Sequence, residues 1–233
     1  MRLLVRVAGV PAGFANGARE QLWKEALRGA LTPLPVEVGS RALRLHFVLP
    51  PPAPGRPGSD LDNLLDPVLA VLVGELRWFG GGRPSIEAIE ATKERGAEPG
   101  CELELLAAPP SSAAPQAPLL DALFEGPLPR SGTDQIFTEW VQRLVTPGPL
   151  AIGEPGLGVA LTFHGPRINL GDIATGRPKN VIDCLWPLIG GRAGAPDDHL
   201  VTELRLSRLA SSDRAGVRVA VWRRPPPFDQ PLR

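Results

Sequence analysis

Apolar and polar residues alternate over residues 3–7 and again over residues 42–49, where Leu43, Leu45 and Phe47 fall on one side. A two-residue period is that of a half-buried strand. Between them, residues 18–30 place Leu22, Trp23, Ala26, Leu27 and Ala30 at helical spacing. Residues 60–76 read as a buried helix opened by acidic residues, and residues 85–92 and 101–106 as closing strands. The order then recurs. A strand at 119–124 precedes a helix at 133–145, with Ile136, Phe137, Trp140, Val141 and Leu144 on its apolar side. A strand at 158–163, a helix at 178–189 and strands at 200–206 and 217–222 complete it.

The recurrence extends to individual residues. Trp23 and Trp140, Leu27 and Leu144, and Asn63 and Asn180 are each 117 positions apart. Beyond Val73 the spacing becomes 115, pairing Ile86 with Val201, Ile89 with Leu204 and Lys93 with Arg208. A period of half the chain indicates a duplicated domain rather than a solenoid. The predicted fold class is α+β: two tandem β-α-β-α-β-β units, each a small sheet carrying helices on a face. The units are expected to pack face to face through a shared apolar surface, as an intramolecular pseudo-dimer. Their predicted bounds are 1–108 and 119–224. A proline- and alanine-rich linker at 109–118 joins them, and a loose proline-rich tail follows at 225–233.

Of 233 residues, 43% are hydrophobic, enough for a core in each unit. The formal net charge is zero, so nothing draws the whole molecule to a polyanion and nucleic-acid binding needs a local patch. Two cysteines without metal-ligand spacing, Cys101 and Cys184, read as buried thiols in a reducing compartment. The opening residues interrupt a short apolar run with Arg6 and carry no cleavage site, so they read as a strand rather than a signal peptide. No run approaches the ~18 apolar residues of a membrane span. The expectation is a cytoplasmic protein with no membrane partner.

The candidate chemistry is acidic. In Ser59-Asp60-Leu61-Asp62-Asn63-Leu64 the chain is still extended before a helix, so Asp60 and Asp62 aim their carboxylates the same way, as a hard cation such as Mg²⁺ requires. The same two residues also suit an N-cap and a first-turn acid favoured by the helix dipole. A second acidic pair, Asp197-Asp198, precedes His199 in a turn. Adjacent carboxylates there serve a cation, or simply make a Pro/Asp turn.

These strings together resemble the RusA family of Holliday junction resolvases. The family pattern is D-x-D-N-L, a helix, then a D-D pair and a strand ending in a basic residue. The resemblance implies a Mg²⁺-dependent endonuclease acting on branched or duplex DNA. Asp60, Asp62, Asp197 and Asp198 would be catalytic, and Asp60, Asp62 and Asp198 the metal ligands. Known members are homodimers of single units, which implies a monomeric pseudo-dimer here. The departures are specific. Gly82-Arg83 stands where the first unit should carry D-D, and Arg177-Pro178-Lys179-Asn180 replaces D-x-D-N in the second. Asp66 and Asp183 occupy the place of a family lysine. A site shared between the units would leave one complete cluster. Sites confined to each unit would both be broken, leaving a catalytically dead DNA- or protein-binding accessory module.

Six arginines, at 205, 208, 214, 218, 223 and 224, face one acid over the last strands. On neighbouring strands they would form a basic ribbon suited to phosphates, with Arg205, Arg208, Arg218, Arg223 and Arg224 as DNA contacts; they equally serve solubility. Glu87, Glu90, Glu94, Glu98, Glu102 and Glu104 give the first unit an acidic face, suited to a protein partner. Trp23 and Trp140 read as core. The glycines at 80–82 and 190–191 lack the lysine of a phosphate loop and read as helix stops.

Overall fold

The computed structural model describes residues 3–34, 42–52, 59–79, 86–109, 117–145, 156–165, 177–209 and 215–224. The first half of the chain contributes β1 (Leu3–Ala8), α1 (Ala18–Leu31), β2 (Ala42–Leu49), α2 (Leu61–Leu69) with a π-helical extension (Ala70–Glu75), β3 (Ala88–Arg95) and β4 (Gly100–Leu106). The second contributes β5 (Leu120–Glu125), α3 (Gln135–Leu144), β6 (Leu157–His164), α4 (Arg177–Asp183) and α5 (Trp186–Ile189). A short hairpin of β7 (Gly191–Arg192) and β8 (Ala195–Pro196) follows, then a 3-10 turn (Asp198–Leu200), β9 (Val201–Leu209) and β10 (Gly216–Arg223).

Eight of these strands form one mixed sheet in the order β1-β4-β2-β3-β9-β6-β10-β5. Read from either edge, the order within a half is the same: first strand, fourth, second, third. Pairing registers repeat with it. Val7 lies opposite Cys101 as Phe124 lies opposite Val217. The second and third strands of each half are parallel neighbours, and parallel neighbours need a crossover. Helix α2 supplies it in one half, α4 and α5 in the other. Each fourth strand begins at a glycine pressed on the first. A Cβ at Gly100 would stand 2.7 Å from the carbonyl oxygen of Val7, and at Gly216 2.4 Å from that of Phe124.

The halves meet edge to edge, not face to face as the duplication had suggested. Strands β3 and β9 pair antiparallel, with Ile89 opposite Leu206, Glu90 opposite Arg205 and Ala91 opposite Leu204. Each would otherwise leave a row of unpaired backbone groups on an inner edge. Glu90 and Arg205 are counterparts at the 115-residue spacing. Two counterparts that pair with each other lie on an approximate twofold axis, which therefore passes through the β3–β9 seam.

Strand alternation sets the faces. In β2, Leu43, Leu45, Phe47 and Leu49 are buried while Arg44, His46 and Val48 are half-exposed; β6 buries Leu157, Val159, Leu161 and Phe163 in the same way. Onto this apolar face α1 lays Trp23, Leu27 and Leu31, and α2 lays Leu61, Leu64, Leu65 and Val68. Phe137 and Val141 of α3 and Val181 and Ile182 of α4 cover the second half. Three residues expected on the buried helix faces are exposed: Leu22, Ile136 and Leu144. The buried stripe of α1 runs Glu20-Trp23-Leu27-Leu31, and a neighbour one residue away is turned by about 100°. Trp140 is only half-buried, edge-on to Phe124 at 5.3 Å.

The helix expected over 178–189 is two. Pro187, in the first turn of α5, lacks the N–H that a continuous helix would use, so the chain turns at Cys184-Leu185 and starts again. Most of the predicted linker (110–116), the glycines at 80–82, Gly82-Arg83, Arg214 and the tail lie outside the described residues. No helix among the described residues is long and apolar enough to cross a membrane.

Candidate metal centre

Helix α2 starts where Asp60 is still extended, with φ −73° and ψ 139°, and its carbonyl oxygen accepts the Leu64 N–H. Its side chain caps no backbone N–H; Oδ2 accepts instead from Asn63 Nδ2 at 2.9 Å. Asp134, before α3, is the true cap, its Oδ1 accepting the Phe137 N–H at 3.1 Å. Two residues on, Asp62 is only 7% exposed. The loop after β1 closes over this turn through a hydrogen bond from Phe14 N–H to the Asn63 carbonyl at 3.0 Å. Gly13 permits that approach, since a Cβ there would lie 3.1 Å from Asn63 Cβ and O.

Asp198 reaches the same point from the other half, carried by the 3-10 turn that leads into β9. One oxygen from each of Asp60, Asp62 and Asp198 lies within 4.8 Å of the others. Opposite ligands of Mg²⁺ stand about 4.2 Å apart, twice its ~2.1 Å bond, so a small contraction would let one ion touch all three. An all-carboxylate donor set is the chemistry of a hard cation. The cluster can bind a metal ion. Asp197 does not join it. Neighbouring residues of the turn diverge, and the Asp197 carboxylate lies against Gly190, where an added Cβ would come within 2.8 Å of Oδ2. The His199 ring is likewise outside the cluster.

Two ammonium groups complete the site. Lys179 Nζ, in α4, lies 3.4 Å from Asp62, 3.4 Å from Asp198 and 3.3 Å from Asp183. Lys179 and Asp62 are counterparts 117 residues apart, so their contact places the approximate twofold axis in the site itself. Lys93, at the end of β3, donates to the carbonyls of Ser59 (2.6 Å) and His199 (2.9 Å).

The electrostatics are those of crowded acids. Burial, then the charges of Asp198 and Asp62, pushes Asp60 up to about 7. Burial also raises Asp62 despite Lys179, and raises Asp66 to about 6. Burial pulls Lys179 down, but Asp62, Asp183, Asp198 and Asp60 outweigh it and hold the ammonium well above its ordinary value. Asp60, Asp62, Asp66, Asp183 and Asp198 outnumber the ammonium groups of Lys93 and Lys179, so the ionised cluster carries an excess of negative charge that a cation would offset.

Lys93 and Asp183 were not singled out as site residues from sequence. For Lys93 the signal was present: it aligns with Arg208, and a basic residue at that strand end is part of the repeated pattern.

The arginines do not form the expected ribbon, because β6 lies between β9 and β10. Arg205 pairs with Glu203 at 2.7 Å and stacks 5.0 Å from the Trp222 ring centre. Arg224 pairs with Glu203 at 2.9 Å, and Arg218 grips Asp121 in a fork at 2.7 and 2.9 Å. By strand alternation Arg208 and Arg223 point to the face opposite Arg205 and Arg218, and both are exposed. The acidic stretch of the first half is partly neutralised too: Arg44 binds Glu90 and Glu104, His46 lies 3.2 Å from Glu94, and Arg6 lies 2.9 Å from Glu98.

A scan against protein-family models finds no match, and no curated protein matches. Among solved structures, a cyanuric acid hydrolase described as "evolutionary innovation by structural concatenation" is similar, at 10% identity and a TM-score of 0.23. The similarity covers 94% of this chain, which spans 66% of that one. A likeness of this strength carries no argument about fold or activity.

Proposed function

We propose that the protein is a diverged, internally duplicated, RusA-like endonuclease that uses a divalent cation, Mg²⁺ in the first instance, at one composite site and acts on branched DNA. The observation that carries this reading is the convergence of Asp60 and Asp62 from one half with Asp198 from the other. These are the three residues that the resemblance to the RusA family nominates as ligands. The excess of carboxylates over ammonium groups supports a divalent ion over an alkali ion.

When bound there, Mg²⁺ supplies Lewis-acid activation of water and charge neutralisation at the phosphodiester. The chain's own residues do the rest. Asp62, buried and bonded to Lys179, fixes the orientation of the cluster. Asp60, whose carboxyl is held at about 7 by burial and the neighbouring acids, must ionise to bind the ion, so loading the site near neutral pH releases a proton. The Lys179 ammonium, part-exposed at the rim of the cluster, is placed to hold a non-bridging phosphate oxygen. Arg208 and Arg223, exposed on the second half, remain candidates for backbone contacts.

Lys179 also favours a second reading. An ammonium bonded to three carboxylates does part of a cation's work without any ion, as a catalytically dead DNA- or protein-binding accessory would require. A synthetic four-way junction incubated with Mg²⁺ separates the two. The enzyme reading expects cleavage by the wild type, reduced in Asp62→Asn by more than the ~100-fold that outer-sphere changes reach. Junction binding without cleavage would establish the accessory reading. Cleavage untouched by Asp62→Asn would refute the site.

A further inference from the structure

Lys93 is 7% exposed, yet among the described residues it forms no ion pair. Burying an ammonium without a carboxylate partner is costly unless its hydrogen bonds are made. Lys93 makes two, both to main-chain carbonyls, and the identity of those carbonyls is informative. Ser59 immediately precedes Asp60; His199 immediately follows Asp198. One belongs to the segment by which the first half delivers its ligands, the other to the segment by which the second half delivers its own. A single Nζ atom therefore bridges the two ligand-bearing segments across the seam. Lys93 lies just beyond the last β3–β9 pair, Thr92 opposite Glu203, so backbone pairing does not set their separation there. Its counterpart Arg208 is exposed at the other end of the seam.

We propose that Lys93 is the positioning residue of the composite centre: its ammonium staples the Asp60 and Asp198 segments together and thereby sets the distance between carboxylates that must share one ion. This rests on the metal-dependent reading above. Lys93 touches neither ion nor substrate. It acts through the two carbonyls, as outer-sphere residues do when they orient ligands. Its positive charge adds a second effect, since it lies close enough to Asp60, Asp62 and Asp198 to offset part of their mutual repulsion.

The test uses the full chain and Mn²⁺ alone as probe, with Lys93→Met and Lys93→Gln in case one fails to fold. Isothermal titration well below the melting temperature should show Mn²⁺ affinity reduced ~10–100-fold. Restoring an ammonium should recover most of it: Lys93→Cys, in a chain with Cys101 and Cys184 replaced by Ala, is alkylated with bromoethylamine while unfolded and then refolded. A purely structural lysine would not be rescued in metal affinity by charge alone. In parallel, hydrogen exchange of the metal-free proteins should accelerate in residues 59–64 and 197–201 together. Unchanged Mn²⁺ affinity in a folded variant, or unchanged exchange in both segments, overturns the proposal. If the wild type binds no Mn²⁺, the metal-dependent reading fails. The exchange experiment still decides the staple: joint acceleration supports it, and its absence refutes it.

Discussion

Asp62 and Lys179 occupy the same place in the two halves of the chain, and they touch. In a symmetric pair, two identical acids at this position would face each other across the axis and repel. Here one is an acid and the other a base. The repulsion becomes an ion pair, and the second half carries no acid at this position. It supplies Asp198 instead, to the cluster opened by Asp60 and Asp62. The difference teaches that the two halves divide the labour: two carboxylates of the cluster come from one half, the third and a charge-balancing lysine from the other.

Comparing other counterparts sharpens the point. Trp23 is 1% exposed, whereas Trp140 is half-buried on two aromatic contacts, with Phe124 and Phe137. Trp23→Ala should cost about 3–5 kcal/mol in urea unfolding, and Trp140→Ala clearly less. Equal losses would mean that the two helices carry equal loads. At the axis, Lys179→Met leaves buried acids unbalanced and should destabilise the metal-free protein by ~1–3 kcal/mol, below the usual cost of breaking a buried pair because Lys179 is 39% exposed. Added Mn²⁺ should recover that stability, read as a melting temperature. An unshifted melt would show that Lys179 balances nothing.

The pH dependence has a definite sign. Asp60 is raised from 3.8 to about 7, so between those values the folded chain holds a proton that the unfolded chain has released. Stability without metal therefore falls as pH rises from about 4 to 7, by ~1–2 kcal/mol after allowance for solvent screening and for the other acids. Lys93, lowered by burial to about 8, acts oppositely above that pH, where stability should recover towards 10.5. A minimum near pH 7–8 in denaturant titrations checks both, and Asp60→Asn should flatten its acid side. The smallest effect belongs to the exposed pair Arg218–Asp121. Its double-mutant coupling should not exceed about 0.5 kcal/mol, and a larger value would mean that the outer strands are held by charge.

Much of the fold is legible in the residues alone. Alternation in 42–49 located β2 to the residue, and the Trp23/Trp140 spacing exposed the duplication before any coordinates. The manner of joining was not legible, because apolar periodicity reports that a face is buried and is silent about which strand edge meets which. Glu90 and Arg205 read as surface charges, yet they are the central pair of the seam. The acidic trio was nominated through the resemblance of its two strings to a known pattern, since spacing alone suited caps and a turn equally well. Which of two adjacent aspartates points inward depends on the Asp198 turn, a conformation that the string Pro-Asp-Asp-His leaves open. Lys93 was legible as a basic residue at a repeated strand end, but its role was not. Its partners are backbone carbonyls, which leave no trace in side-chain identity.

The central claim is that one metal site is built from both halves. Titration of Mn²⁺ into the wild type, Asp62→Asn and Asp198→Asn tests it most directly. One ion per chain is expected, with a comparable loss of affinity, at least ~10-fold, from either substitution. No binding, two ions per chain, or a loss confined to one of the two variants would contradict it.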